Sequence, residues 1–251
     1  MKPAPDAYGD IFEQRGHLYA RAMRVSPGAR DEEFAHAVAW ADVRDGQVVC
    51  DVPSGPGDLA RYVRAAVSLI HVETSAAFAR MCRTRTGGRV VLGALAALPL
   101  AARAVDRVIS LAALHHVADK RAFFREARRI LKPRGVLCVA DACAQSPVAE
   151  FLNGFVDAHN SMGHRGIFIG PGTTRDLEES GFDVERSSRV RFPWRFGSRE
   201  EMVAFVEILF GLDRTTPEQT LAGIERHLGA RVAAGRCCLD WELRFIRAVK
   251  R

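Results

Sequence analysis

The stretch from Val48 to Leu59 constrains the fold more than any other part of this sequence. An apolar run ends in Asp51 and is followed by a turn that contains Gly55 and Gly57. Residues 58–63 then have the pattern of a helix opening. Glycines allow a backbone to pass close to a ligand, and a helix N-terminus offers free N–H groups. This stretch therefore predicts a strand–turn–helix unit that holds a nucleotide-like ligand.

The rest of the first half alternates between short β-branched runs and helical patterns. Strands are expected at residues 47–51, 67–72, 90–92, 107–111 and 136–140, with helices at 58–63, 76–82 and 120–131. Such alternation is typical of a doubly wound parallel sheet, a Rossmann-like α/β fold. Ligands of these sheets bind at the carboxyl ends of the strands.

We predict a helical N-terminal cap at residues 1–44 and a core at 45–251. Residues 142–172 show little periodicity, and together with 193–235 they are expected to supply a lid over the ligand. A strand is expected at 182–190, helices at 174–180, 199–210 and 217–228, and a half-buried strand at 239–245.

The bulk properties exclude several classes of protein. The chain has 251 residues and a net charge of +6, but its basic residues are dispersed, which disfavours a nucleic-acid partner. No apolar run approaches the roughly 20 residues that span a bilayer, and the N-terminus lacks a secretory pattern, so we expect a cytoplasmic protein. An acidic or carrier-linked small molecule is compatible with the basic charge. The sequence gives no indication of oligomeric state.

The six cysteines indicate reduced thiols rather than a metal centre. They form no C-x-x-C pair and have no His/Cys metal spacing, so no metal ligands are predicted.

The glycine loop has a competing interpretation. Residues 55–60 also match the dinucleotide fingerprint G-x-G-x-x-A, and Glu73 follows Asp51 by 22 residues. Asp51, however, would face a pyrophosphate unfavourably at the end of the first strand. A nicotinamide dehydrogenase is therefore the weakest of the alternatives.

Five segments in register identify a family. They are residues 49–57, 70–75, 98–100, 105–117 and 124–135. In this order and spacing the chain resembles the class I S-adenosylmethionine-dependent methyltransferases of the small-molecule, type 11 kind, closely over residues 45–141. The resemblance implies a mostly parallel seven-stranded sheet with an antiparallel final strand and helices on both faces. It also implies S-adenosylmethionine as the cofactor and methyl transfer to O, N or C of a small organic acceptor.

The resemblance assigns roles to particular residues. Gly55 and Gly57 would pass close to the methionine portion, Glu73 would accept the two ribose hydroxyls, and Asp51 would lie near the ammonium group. The full cofactor-binding set predicted is Arg15, Asp51, Pro53, Gly55, Gly57, Glu73, Thr74, Ala94, Leu95, Ser110 and Leu111.

Two positions depart from the family pattern. Pro53 stands where the first glycine usually is, which removes an N–H and fixes φ. Ala94 stands where an aspartate usually binds the adenine amino group. Adenine recognition would then fall to the Leu95 backbone and to apolar packing.

His116 and His159 are the candidate catalytic residues. His116 follows the fourth strand, beside His115, and His159 lies in the expected lid with His164. A histidine near neutral pKa could take a proton from the acceptor. Each could equally be an ordinary polar side chain, because methyl transfer depends mainly on positioning.

Two other functions remain open. One is a protein that binds the cofactor without transferring methyl. The other is an RNA methyltransferase, which is disfavoured because residues 110–114 lack the Asn/Asp-Pro-Pro-aromatic motif of enzymes that act on base amino groups.

Overall fold

A mixed eight-stranded sheet organises the computed structural model, which describes residues 8–251. The strands are β1 (Val48–Asp51), β2 (Ser68–Glu73), β3 (Arg89–Leu92), β4 (Val105–Leu111), β5 (Leu131–Asp141), β6 (Phe182–Phe196), β7 (Ala230–Ala233) and β8 (Arg236–Lys250). Their order is β3-β2-β1-β4-β5-β8-β6, with the short β7 paired to β8. Strands β1 to β5 are parallel, and the final strand β8 runs antiparallel to both β5 and β6. The expected seven-stranded architecture is confirmed, with β7 as an addition.

Helices cover both faces of the sheet. They are α1 (Tyr8–Val25), α2 (Asp31–Ala41), α3 (Ala76–Thr86), α4 (Lys120–Ile130), α5 (Pro147–Glu150), α6 (Asp157–His159), α7 (Gly172–Glu179), α8 (Arg199–Phe210) and α9 (Pro217–His227). Residues 1–7 of the predicted cap lie outside the described residues. None of the helices in residues 8–251 is long and apolar enough to cross a bilayer.

The sheet separates two hydrophobic cores, because successive side chains of a strand point to opposite faces. Ile109 joins the core beneath α2 and α8, whereas its neighbour Val108 joins the core beneath α4 and α7. In the same way, Cys138 joins the first of these cores and Val139 joins the second. Strand order reverses at β1, which lies between β2 and β4, so the crevice for a ligand opens at the carboxyl ends of these strands.

The prediction of a helix at residues 58–63 is wrong. The structure has only a 3-10 turn, Asp58–Arg61, followed by irregular chain. Tyr62 stacks on Phe34 of α2 with ring centroids 5.0 Å apart. The chain that follows the turn thus packs on α2.

Residues 142–172, whose sequence shows little periodicity, contain regular structure. Helical chain runs from α5 through a π-helical segment, Phe151–Val156, into α6. Val148, Leu152 and Val156 are buried at intervals of four residues. This spacing also fits the apolar face of an α-helix, so the sequence pattern is compatible with the helical chain found here.

Candidate functional site

Glu73 occupies the carboxyl end of β2 and is fully buried. Its carboxylate accepts hydrogen bonds from the backbone N–H groups of Gly55, Thr74 and Ser75 at 2.7, 2.8 and 2.9 Å. Burial raises the pKa of Glu73 to about 7, against the lowering effect of these bonds. The carboxylate thus ties the glycine loop to the end of the second strand.

Asp51 ends β1 directly beside His71 of β2. The His71 Nδ1 atom lies 3.1 Å from Asp51 Oδ2. Burial disfavours charge on the imidazole, but the bond to Asp51 outweighs it and raises the pKa of His71 to about 10. Two carboxyl groups therefore lie at neighbouring strand ends. The His71 imidazole holds the Asp51 carboxylate in place.

The glycine loop between these acids begins with a cis peptide bond, Val52–Pro53. Gly55 has φ +54°, and a Cβ there would meet no atom within 4 Å. Gly57 has φ +85°, but a Cβ there would lie 2.8 Å from Cys82 Sγ of α3. Gly57 therefore allows the loop to pack on α3, whereas Gly55 faces open space. A small pocket of about 70 Å³ lies here, lined by Asp51, Pro53, Gly55 and Leu111 among others.

A larger groove of about 570 Å³ lies beyond this pocket. Its lining includes Thr74, Ala94 and Leu95, which follow β2 and β3. Tyr8 lines both the small pocket and the groove, and its hydroxyl lies 3.5 Å from Glu73 Oε2. The start of α1 thus separates two cavities that open along the strand ends.

An aromatic cavity of about 100 Å³ adjoins the small pocket on its other side. Phe12, Tyr19, Arg30 and Ala112 line both. The remainder of its wall is mostly apolar and aromatic, and includes Ile11, Leu152, Val156, Leu209, Phe210, Trp194, Trp241 and Leu243. Residues from α1, the π segment, α8, β6 and β8 therefore enclose a space that touches the strand ends.

Arg30 stands between the two cavities in a buried polar network. Its guanidinium binds both oxygens of Glu33, at 3.0 and 2.5 Å, and donates to Tyr19 Oη at 2.7 Å. The indole of Trp194 donates to Glu33 Oε2 at 2.8 Å. Arg30 also lies over the rings of Tyr19, Phe34 and Trp194, within 6 Å of each. The network fixes the position of the aromatic walls.

Three histidines meet at the rim of the aromatic cavity. His115 and His116 belong to the turn after β4, and His164 comes from the loop after α6. His115 Nδ1 lies 2.7 Å from Asp141 Oδ1, and His164 Nδ1 lies 3.0 Å from Asn153 Oδ1. Burial lowers the pKa of His116, and it lowers that of His164 to about 3. Both imidazoles are therefore neutral.

The other predicted site residues are distributed differently. Arg15 lines the aromatic cavity rather than the small pocket. Ser110 is buried in β4, and no group in residues 8–251 bonds its hydroxyl. His159 lies outside the aromatic cavity: its Nδ1 atom is 2.8 Å from the Phe155 carbonyl oxygen.

Sequence reasoning missed the Arg30–Glu33 pair and Asn153. The spacing of Arg30 and Glu33, three residues apart at the start of a helix, resembles that of many exposed pairs. Nothing local distinguishes them, because their burial depends on Trp194 from a strand more than 160 residues away. Asn153 lies in the π segment, where no helix was predicted from the sequence.

The comparisons with known proteins agree with this geometry. Residues 50–139 match the family model described as a methyltransferase domain. A 37.1 kDa protein in transposon TN4556 of Streptomyces fradiae is 32% identical over 157 residues, which cover 53% of this chain and 46% of that protein. The chain spans less than half the length of the curated relatives that it matches first.

Solved structures share the fold over nearly the whole chain. An S-adenosylmethionine-dependent methyltransferase from Thermotoga maritima is 18% identical with a TM-score of 0.65, covering 97% of this chain and 100% of that one. The phosphoethanolamine N-methyltransferase 2 of Haemonchus contortus, in complex with phosphomonomethylethanolamine and S-adenosylhomocysteine, is 15% identical with a TM-score of 0.64; the match covers 99% of this chain and 60% of that one. Residues 50–139 thus match a methyltransferase domain, and the chain shares its fold with S-adenosylmethionine-dependent methyltransferases.

Proposed function

We propose that this chain transfers a methyl group from S-adenosylmethionine to O, N or C of a small organic acceptor bound in the aromatic cavity. The observation that carries the proposal is the contact between the small pocket and this cavity, which share Phe12, Tyr19, Arg30 and Ala112. A methyl donor held at the strand ends would face an acceptor in the cavity directly.

The strand-end residues fit this cofactor. Gly55 leaves open space where a side chain would otherwise project, and it lines the small pocket with Asp51 and Leu111. Glu73 can present a carboxylate to ribose hydroxyls, and Asp51 can accept from an ammonium group. Ala94 and Leu95 would pack against adenine in the neighbouring groove. Tyr8 must turn aside for one ligand to occupy both spaces.

The cofactor supplies an electrophilic methyl group on a sulfonium, and the residues of the chain position the acceptor. The aromatic walls exclude water, which strengthens electrostatic interactions inside the cavity. Asp141 accepts from His115 Nδ1, which leaves the His115 Nε2 atom facing the cavity rim. His115 can therefore hold a hydroxyl or amine of the acceptor, or accept its proton.

The cavity favours an acceptor with a flat apolar body and an acidic group. Aromatic rings form much of the wall. Arg15 also lines it. Burial lowers the pKa of Arg15, and the negative charge of Asp213 acts against this. A carboxylate or phosphate on the acceptor would form charge-assisted hydrogen bonds with the Arg15 guanidinium.

Calorimetric titration with S-adenosylhomocysteine tests the cofactor site in a matched pair of variants. Gly55→Ala and Gly46→Ala both place alanine at positive φ where a Cβ meets nothing within 4 Å. Only Gly55 lines the pocket. We expect Gly55→Ala to weaken binding at least tenfold and Gly46→Ala to leave it unchanged. Equal effects, or no binding by the unaltered chain, would refute the proposal.

Turnover decides between methyl transfer and binding alone. The chain is incubated with S-adenosylmethionine and a panel of aromatic acids, phenols and amines, and S-adenosylhomocysteine is quantified. Acceptor-dependent product supports the proposal. Tight cofactor binding with no product from any acceptor supports the alternative in which the fold binds the cofactor without transferring methyl.

The six cysteines are free and buried, which fits a reducing compartment, and we place the protein in the cytoplasm on that ground.

A further inference from the structure

The three histidines at the cavity rim have the geometry of a metal-binding group. Their ligand nitrogens all lie within 4.8 Å of one another. The ring centroids are 4.1 Å apart for His115 and His116, 5.5 Å for His115 and His164, and 5.3 Å for His116 and His164. Nitrogens of a tetrahedral zinc site lie about 3.4 Å apart, given Zn–N bonds of about 2.0–2.1 Å. Small rotations of the side chains would close the difference.

Hydrogen bonds fix which nitrogen is available on two of the rings. Asn153 is oriented by Gly166, whose N–H donates to Asn153 Oδ1 at 2.7 Å and whose carbonyl accepts from Asn153 Nδ2 at 2.9 Å. Asn153 Oδ1 therefore accepts from His164 Nδ1. Asp141 accepts from His115 Nδ1 in the same way. Both imidazoles then carry a lone pair on Nε2, as a metal ligand requires.

The backbone also holds the two histidine-bearing segments together. The N–H of Ile167 donates to the His115 carbonyl oxygen at 2.7 Å, and the N–H of His164 donates to Asp157 Oδ1 at 2.8 Å. The third imidazole, His116, follows His115 directly and is held among aromatic rings: Tyr8 and Phe12 lie 6.2 and 5.7 Å from it. The three side chains are thus preorganised although they come from distant parts of the sequence.

We propose that His115, His116 and His164 bind one divalent transition-metal ion of the zinc class, with an open position toward the aromatic cavity. Three imidazoles suit zinc, and three protein ligands with a free position are typical of catalytic zinc sites. Asp141, which accepts from His115 Nδ1, would offset part of the positive charge of the ion and of the nearby Arg15 and Lys120.

The open position would take an oxygen or sulfur donor of the acceptor. A hydroxyl or thiol bound to such an ion would lose its proton to solvent near neutral pH, and the ion would fix the direction of the oxygen or sulfur. The nitrogen lone pairs then bind the ion instead of a proton. This use of the site rests on the proposed function, whereas the binding of the metal does not.

Metal titration of the full chain tests the site without reference to turnover. The chain is stripped with a chelator and titrated with Zn²⁺ by calorimetry and with Co²⁺ by visible absorption. We expect one ion per chain and d–d bands of a four- or five-coordinate Co²⁺. His164→Ala should weaken binding at least 100-fold, and the exposed His17→Ala should leave it unchanged.

Asn153→Ala provides a second test that retains all three imidazoles. Loss of such an orienting bond costs about 10- to 100-fold in metal affinity. Asn153 is exposed, so this substitution has little effect on packing. Affinity that is the same in the unaltered chain, His164→Ala and Asn153→Ala would overturn the metal site, as would no saturable binding by the unaltered chain.

The binding of S-adenosylhomocysteine separates this inference from the function proposed above. If the chain binds that ligand and forms product but binds no metal, the metal site fails alone. If one Zn²⁺ binds through the histidines but no acceptor is methylated, the proposed function fails and the metal site stands.

Discussion

Glu33 is the residue on which the cavity wall depends most. It is fully buried, and it accepts from Arg30 and from the Trp194 indole. Removing one partner of a buried ion pair leaves the other charge uncompensated, which costs about 3–5 kcal/mol. The same carboxylate orders rings from α2 and β6.

We expect Glu33→Ala to lower the free energy of unfolding by about 3–5 kcal/mol, measured by urea denaturation. The matched control is Arg175→Ala, which breaks the exposed pair between Arg175 and Glu179, 2.7 Å apart. Exposed pairs of this spacing contribute only about 0.3–0.5 kcal/mol. A cost below 1 kcal/mol for Glu33→Ala would show that the buried network does not support the wall.

At the residue scale, the sequence predicts strand-end groups better than groups that meet across loops. Asp51 and Glu73 each end an apolar run, and parallel strands bring their carboxyl ends to one edge of the sheet. His164 meets His115 because the loop after α6 returns to the turn that follows β4, where the Ile167 N–H donates to the His115 carbonyl oxygen. No periodicity or spacing encodes that contact.

At the scale of elements, the π segment and α9 pack against each other beside the cavity. Gly154 lies in the π segment, exposed, and a Cβ there would meet nothing within 4 Å. Gly223 lies in α9, where a Cβ would come within 2.4 Å of Phe155. Both glycines are helical, and they differ in whether an added Cβ would meet neighbouring atoms.

The same substitution should therefore have opposite effects at these two positions. Gly154→Ala should raise the free energy of unfolding by about 0.5–1 kcal/mol, because alanine restricts the unfolded chain. Gly223→Ala should lower it by about 1–3 kcal/mol, because Phe155 must shift in a packed interface. Thermal unfolding measures both. Stabilisation by both variants would mean that α9 does not pack on Phe155.

Elements with a strong period were predicted well, and elements shaped by tertiary contact were not. The helix α8 has the bounds that the sequence indicates, Arg199–Phe210, and Gly211 ends it in a left-handed conformation. The π segment and the shortened turn at Asp58–Arg61 depend on neighbours that the sequence pattern does not contain.

At the scale of the whole molecule, the proposed role of Glu73 links stability to cofactor binding. Burial raises its pKa to about 7, above the value of an exposed glutamate, with Tyr8 of α1 and Asp51 of β1 facing it. The folded chain therefore binds this proton more tightly than the unfolded chain does. Its contribution to stability falls as pH rises from about 4.5 to about 7.

Cofactor binding should have the opposite pH dependence if, as proposed, the ribose hydroxyls donate to the ionised carboxylate of Glu73. About one-tenth of Glu73 is ionised at pH 6 and about nine-tenths at pH 8, so S-adenosylhomocysteine should bind up to about tenfold more tightly at pH 8. At a fixed excess of ligand, this adds up to about 1.4 kcal/mol, or an increase in Tm of about 3–5 °C over the shift at pH 6. Glu73→Gln cannot ionise and should show a small shift that is equal at both pH values. A ligand-induced shift in the unaltered chain that is larger at pH 6 than at pH 8 would contradict the role of Glu73 as the ribose acceptor.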